Sequence, residues 1–190
     1  MIAKTLSSAK YALVSFRRNP AATFFTIIFP VLFLVIFGLV FGSGEMGPAD
    51  QRVKVSTFIV PGILALSIVS ATFVNLAMNQ VIRREAGQLK RLRGTPLSPL
   101  GHIVGQILAA LVIVVFMTVL VTVIGRLFFG VEFNLSSIGV FSLSVALGAI
   151  AFSALGLAIT AIIPNDDAAP AITNATVFPL YFISDVFFFS

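Results

Sequence analysis

Five long stretches of this 190-residue chain carry no charged side chain: 24–42, 58–82, 103–125, 135–163 and 168–184. A helix crosses a bilayer with roughly 20 apolar residues. The first four stretches meet that length, and the fifth, though short, is read with them. A membrane barrel would instead show alternating segments of about ten residues. The predicted fold is therefore all-α, a polytopic membrane helix bundle with five spans in a single domain covering 1–190.

Composition agrees. The chain is 58% apolar and 10% charged, with a mean hydropathy of +1.10, against about 45–50% and about 25% for soluble domains. So small a protein has too much surface for its volume to hide that excess in one core. An ordinary soluble enzyme, a disordered chain and a nucleic-acid module are excluded. With no cysteine, disulfides, thiolate metal sites and cysteine nucleophiles are excluded too. His102 is the lone histidine, which excludes His-rich metal sites and HExxH proteolysis and reads as an interfacial residue at a helix start. No phosphate-binding G-x-x-x-x-G-K-[ST] loop occurs, so no catalytic, cofactor-binding or metal residue is assigned.

The first four spans contain no acid or base. Proton- and ion-coupled carriers keep such a group at depth because it must change charge as the ion moves. The driving force is therefore expected from outside the spans. Asn75, Asn79 and Gln80 in the second span and Asn174 in the fifth are polar but uncharged, suited to helix packing or to a translocation path. Asp185 is the one acid in a span region. Small residues recur at four-residue spacing in Gly38/Gly42, Gly101/Gly105/Ala109, Ser144/Gly148 and Gly156/Thr160, a spacing that lets helices approach closely.

Ahead of the first span, Ile2, Leu6, Ala9, Leu13 and Phe16 fall on one helical arc and Lys4, Ser7, Tyr11, Arg17 and Arg18 on the other. Residues 1–19 thus read as an amphipathic helix in the headgroup region. Asn19-Pro20 and Ser98-Pro99 each pair a capping side chain with a proline at the first helical position. Asn134, Ser136 and Ser137, and Asn165 with Asp166, are expected to cap the fourth and fifth helices. Lys and Arg concentrate before the first span (Lys4, Lys10, Arg17, Arg18) and in the loop after the second (Arg83, Arg84, Lys90, Arg91, Arg93). Both regions are predicted to be cytoplasmic. The chain stops at Phe187-Phe188-Phe189-Ser190 without a polar tail, which reads as part of a longer protein.

The loop at 83–99 reads RREAGQLKRLRGTPLSP. Leu89 and Leu92 share a face of a short helix that Gly94 and Pro96 end, making a stiff charged peg between two spans. Glu85, Gly87, Leu89, Leu92, Thr95, Pro96 and Leu97 match in order the coupling segment of type-2 ATP-binding-cassette permeases, the drug- and lipid-exporting kind. Arg18-Asn19-Pro20 leading to Phe29-Pro30, and Asn174 followed by Pro179-Leu180 and Phe182-Ile183-Ser184, resemble the family's first- and fifth-span segments. Asp185 departs from the family's usual glycine, and the family's sixth span is not among these residues.

The resemblance implies a permease subunit of an ATP-driven exporter in the cytoplasmic membrane, with the N-terminus inside. It implies a partner ATPase that holds the ATP, a second permease completing the path, and a hydrophobic drug, lipid or glycan as cargo. It also implies that Glu85, Gly87, Leu89, Leu92, Arg93, Thr95 and Pro96 couple the permease to the ATPase, with Leu89 and Leu92 as the apolar docking face and Glu85 and Arg93 as polar contacts. The alternative reading is a secondary carrier or channel with no ATPase partner.

Overall fold

The computed structural model describes residues 2–41, 44–46, 53–92, 94, 97–131 and 135–183. They form an all-α bundle: α1 (Ile2–Arg18), α2 (Pro20–Phe41), α3 (Ser56–Glu85), α4 (Gln88–Leu92), α5 (Pro99–Phe129), α6 (Ile138–Ile159) and α7 (Ala169–Ile183). Between α2 and α3 a two-residue antiparallel pair, β1 (Glu45–Met46) and β2 (Val53–Lys54), aligns Glu45 with Lys54. Helices α2, α3, α5 and α6 are long and apolar enough to cross a membrane. The fifth uncharged run forms α7, an apolar helix of 15 residues as far as it is described. Helix α5, at 31 residues, is about 46 Å long, longer than the roughly 30 Å hydrocarbon core. At least one end of it stands clear of the apolar layer.

The expected caps at the first and third spans form. Asn19 Oδ1 accepts from the Ala22 N–H at 3.1 Å, and Ser98 Oγ accepts from the Gly101 N–H at 3.1 Å. Asn165 Oδ1 accepts from the Ala168 N–H at 2.9 Å just before α7. The fourth helix differs from expectation: a 3₁₀ turn, Leu135–Ser137, leads into α6, and Ser137 makes no side-chain cap. Asn134 lies outside the described residues. Helix α5 ends at Gly130, whose φ of 63° is the left-handed conformation glycine adopts without a Cβ clash.

Two helices contain a widened turn. In α2 the Phe29 N–H bonds the Phe24 carbonyl, five residues back. Pro30 follows at once, with no N–H for Thr26 and a ring that would strike the Thr26 carbonyl in a regular helix. In α3 the Asn75 N–H likewise bonds the Ser70 carbonyl. Nearby, Ser67 Oγ and Thr72 Oγ1 donate to the Ile63 and Ile68 carbonyls at 2.7 and 2.6 Å, competing for backbone acceptors.

Helix α3 is the centre of the bundle: 56% of its apolar window is buried, against 11% for α6. Its Ile63 and Leu64 form the main core with Leu34 of α2 and Val114, Met117 and Val121 of α5. Glycines set the close approaches. A Cβ on Gly156 would lie 2.7 Å from the Phe73 carbonyl oxygen, and one on Gly125 2.9 Å from Val60 Cγ1. Gly38 faces the ring of Phe129. Gly148, by contrast, meets nothing among the described residues, so the Ser144/Gly148 spacing makes no close approach among them.

The outer surface is apolar. A ladder of Phe25, Phe29, Phe33, Phe37 and Phe41, one helical turn apart, runs along α2 with successive ring centroids 4.6–6.0 Å apart. Val140, Leu143, Leu147 and Leu155 project from α6. A contiguous apolar exterior over polar side chains turned inward is what a bilayer stabilises as solvent.

Candidate functional site

Polar chemistry collects at the end of the bundle where α3 leaves it and α5 begins. Helix α1 packs there along the first half of α5 and runs parallel to it. Thr5 lies beside Gly101 and Gly105, Ser8 beside Gly105, and Ala9 and Ala12 against Ala109. A Cβ on Gly105 would sit 2.8 Å from Ser8 Cβ and 3.0 Å from the Thr5 carbonyl oxygen. The expected four-residue spacing of Gly101, Gly105 and Ala109 is thus the seat of α1. The packing face of α1 is its small-residue edge rather than the whole apolar arc, for Ile2 and Leu6 stay exposed while Ala9, Ala12 and Phe16 are buried.

Gly87 explains how the segment after α3 is shaped. With φ 67° it adopts the left-handed conformation, and its N–H bonds the Arg84 carbonyl at 3.1 Å. That stops α3 at Glu85 and releases the five-residue helix α4. Leu89 and Leu92 are half-buried while Gln88, Lys90 and Arg91 are exposed, so the two leucines do share a face. Leu92, with Leu97, lines a groove against α1. Arg93, Thr95 and Pro96 lie outside the described residues, as does Asp185.

The two arginines at the end of α3 have different surroundings. Arg84 donates to three carbonyls beyond α6: Thr160 at 3.0 Å, Ile163 at 2.6 Å and Pro164 at 3.0 Å. It thereby caps the negative end of α6 and ties the root of the α4 segment to the α6–α7 turn. Its ion pair with Glu85, at 3.6 Å, is half exposed and adds little. Arg83 has no hydrogen-bond or ion-pair partner among the described residues. It lines a small cavity of about 20 Å³, room for a water, together with Asn75, Asn79 and Gln106.

Asn75, Asn79 and Arg83 stand one turn apart on α3, and Asn79 Nδ2 donates to both the backbone and side-chain oxygens of Asn75. Gln106 is 4% exposed and its Nε2 has no partner among the described residues. The structure therefore places Asn75 and Asn79 with Gln106 and Arg83, inside one chain. Asn174 stands apart, exposed on the outer face of α7. His102, expected at the interface, is buried, with Ser8 Oγ 3.5 Å from Nδ1 and no partner for Nε2.

A multi-pass helix bundle with a glycine-turned peg between its second and third spans is matched by the family model of ABC-2 type transporters over residues 4–190. The chain belongs to that family. No curated protein and no solved structure matches it. As an ABC-2 family member it is a membrane-embedded permease subunit of an ABC system, a transport component rather than the catalytic one.

The sequence reading missed two of this permease's polar residues, Arg84 and Gln106. The partners of Arg84 lie 76–80 residues away, beyond any local pattern. Gln106 sits alone in an apolar run without periodic company, but as the one amide in that span it was a visible signal.

Proposed function

We propose that this permease forms half of the translocation path of an ATP-driven exporter and is driven through residues 83–99 by a separate cytoplasmic ATPase subunit. In this reading ATP binds the partner, and this chain carries no cofactor. Its N-terminus and α4 face the cytoplasm across the cytoplasmic membrane, as the Lys and Arg distribution requires. A second permease completes the path, with Asn174 on the outward face of α7 available to it. The cargo is a hydrophobic drug, lipid or glycan.

The observation that carries this reading is the anchoring of the peg's root. Gly87 turns the chain sharply out of α3, and Ser98 caps α5 eleven residues on. Arg84 fastens the same root to the α6–α7 turn. A push on α4 is then passed to α3, α5 and α6 together, as a coupling element needs. Leu89 and Leu92 supply its apolar docking face, Glu85 and Arg93 its polar contacts, and Gly87, Thr95 and Pro96 its shape. Asn75 and Asn79 serve packing of this end of the bundle, and Asp185 belongs to the last span segment.

The test is co-expression with the P-loop ATPase of a neighbouring reading frame. The double change Leu89→Asp, Leu92→Asp is expected to abolish co-purification and the permease-dependent stimulation of ATP hydrolysis. Because Leu92 also lines the groove under α1, Lys90→Glu with Arg91→Glu, both exposed, serves as a second variant and should weaken the same contact. If both variants assembled normally, the assignment would be wrong. Cargo movement that followed a proton or sodium gradient without nucleotide would establish the carrier reading instead.

A further inference from the structure

Between α1 and the segment that follows α3 lies an open groove of about 430 Å³, a size that accommodates a small ligand. Its polar lining is made of groups that donate: Lys4, Ser7, Ser8, Arg83 and His102. Among the described residues no Asp or Glu lines it. Arg83 has no counter-charge among the described residues, although it is half-buried. His102 is 6% exposed and its Nε2 has no partner among the described residues. Cations and buried donors left this way are stabilised by an anion with several acceptor oxygens, and phosphate fits a guanidinium especially well.

The rest of the groove is apolar. Leu92 and Leu97 wall one side, and Tyr11 lines it from α1. A free phosphate has no use for such walls, whereas a lipid has both parts. We propose that this groove binds an anionic phospholipid, its phosphate held by Arg83, Lys4, Ser8 and His102 and its glycerol end lying against Leu92 and Leu97. The lipid completes the packing between α1 and the root of the coupling segment. The groove shares Leu92 with the proposed docking face, but lipid preference is read on this chain without an ATPase, so its failure leaves the proposed function standing.

The test uses the full chain reconstituted in phosphatidylcholine vesicles with or without phosphatidylglycerol. The protein has no tryptophan, so Tyr11→Trp places a single fluorescent reporter at the groove. Bromine-labelled phosphatidylglycerol is expected to quench it with roughly thirtyfold preference over bromine-labelled phosphatidylcholine, the scale of two cations near an anionic headgroup. Arg83→Gln, which leaves Lys4 in place, should cut that preference about fivefold, and Lys4→Gln, on an exposed position of α1, should do the same if Arg83→Gln does not fold. Lys10→Gln, on the same helix but outside the groove, should leave it unchanged. Equal quenching by the two lipids would overturn the proposal. So would an equal loss of preference in Lys10→Gln, which would mean diffuse surface attraction. Abolition of the preference by inorganic phosphate at constant ionic strength would assign the groove to free phosphate and also overturn the lipid assignment.

Discussion

Arg83 and Arg84 are adjacent in the chain, yet they serve two differently built regions. On the Arg84 side, α3 meets α6 at glycine–backbone contact, and the Thr160, Ile163 and Pro164 carbonyls just beyond α6 each receive a donor from Arg84. On the Arg83 side, α3 meets α1 and α5 across a cavity with donors lacking acceptors. One junction is finished by the chain itself. The other is left with unmet hydrogen-bonding capacity, and in a helix bundle that capacity marks where something else is received. The first is a fixed strut and the second an adjustable seat, which suits a coupling segment anchored at one side and responsive at the other.

The comparison breaks most readily at Gly156. A valine there would push its Cβ into the Phe73 carbonyl, which belongs to the central helix and cannot swing aside. Gly156→Val is expected to destabilise the bundle by about 3 kcal/mol, the upper part of the overpacking range. By displacing α6 it should also unseat Arg84 from Thr160. Unfolding titrations in mixed detergent check the first effect. Increased amide exchange around 157–164 checks the second, and unchanged exchange there would show the two contacts to be independent.

Arg84→Gln removes the cap while leaving the helices their room. Hydrogen bonds from a charged donor contribute about 1.5–3 kcal/mol, and partial exposure lets water replace some of them. The expected loss is therefore about 2 kcal/mol in the same titration. Arg84→Lys should recover less than half, because a single ammonium lacks the planar fork that spans Ile163 and Thr160. Full rescue by lysine would reduce the strut to simple charge at a helix end.

Much of this contrast was beyond what the sequence could say, and the reasons differ by residue. The spans were legible because lipid demands unbroken apolar runs, and Asn19 and Ser98 because a cap is a local pattern of a polar side chain and a proline. The Gly101/Gly105/Ala109 seat was legible as close packing, but its occupant α1 was not. Of the apolar arc of α1, Ala9 makes the contact and Ile2 and Leu6 stay exposed, while Thr5, Ser8 and Ala12 from outside the arc complete it, since shape rather than hydrophobicity selects partners inside a membrane protein. The turn before Pro30 was implicit in the proline, whereas the one before Asn75 depends on Ser67 and Thr72 bonding backwards, which nothing nearby announces. Arg84 read as topology-setting charge because its acceptors are backbone carbonyls, which have no sequence signature.

Gln106 sharpens the unfinished side. Its Nε2 is buried without a partner, and an unmet donor of this kind costs about 1–3 kcal/mol, offset by any water in the cavity. Gln106→Met, similar in length and apolar, is expected to raise stability by about 1 kcal/mol. A loss of that size instead would mean that the amide holds a bound water or a ligand atom in the cavity it shares with Arg83.

Asn79→Ala should have the smallest effect. Asn79 bonds only along its own helix, to the backbone and side-chain oxygens of Asn75, so removing it leaves the Asn75 carbonyl in an ordinary helical environment. Polar contacts within membrane bundles average about 0.6 kcal/mol, and the isolated chain should lose no more than that. The value becomes informative when measured twice, on the single chain and on the assembled transporter. Equal small losses would make Asn79 a packing residue of the Arg83 side. A loss beyond about 2 kcal/mol confined to the assembly, or a change in cargo affinity with assembly intact, would place Asn79 against something outside this chain. The open junction would then extend into the transport path.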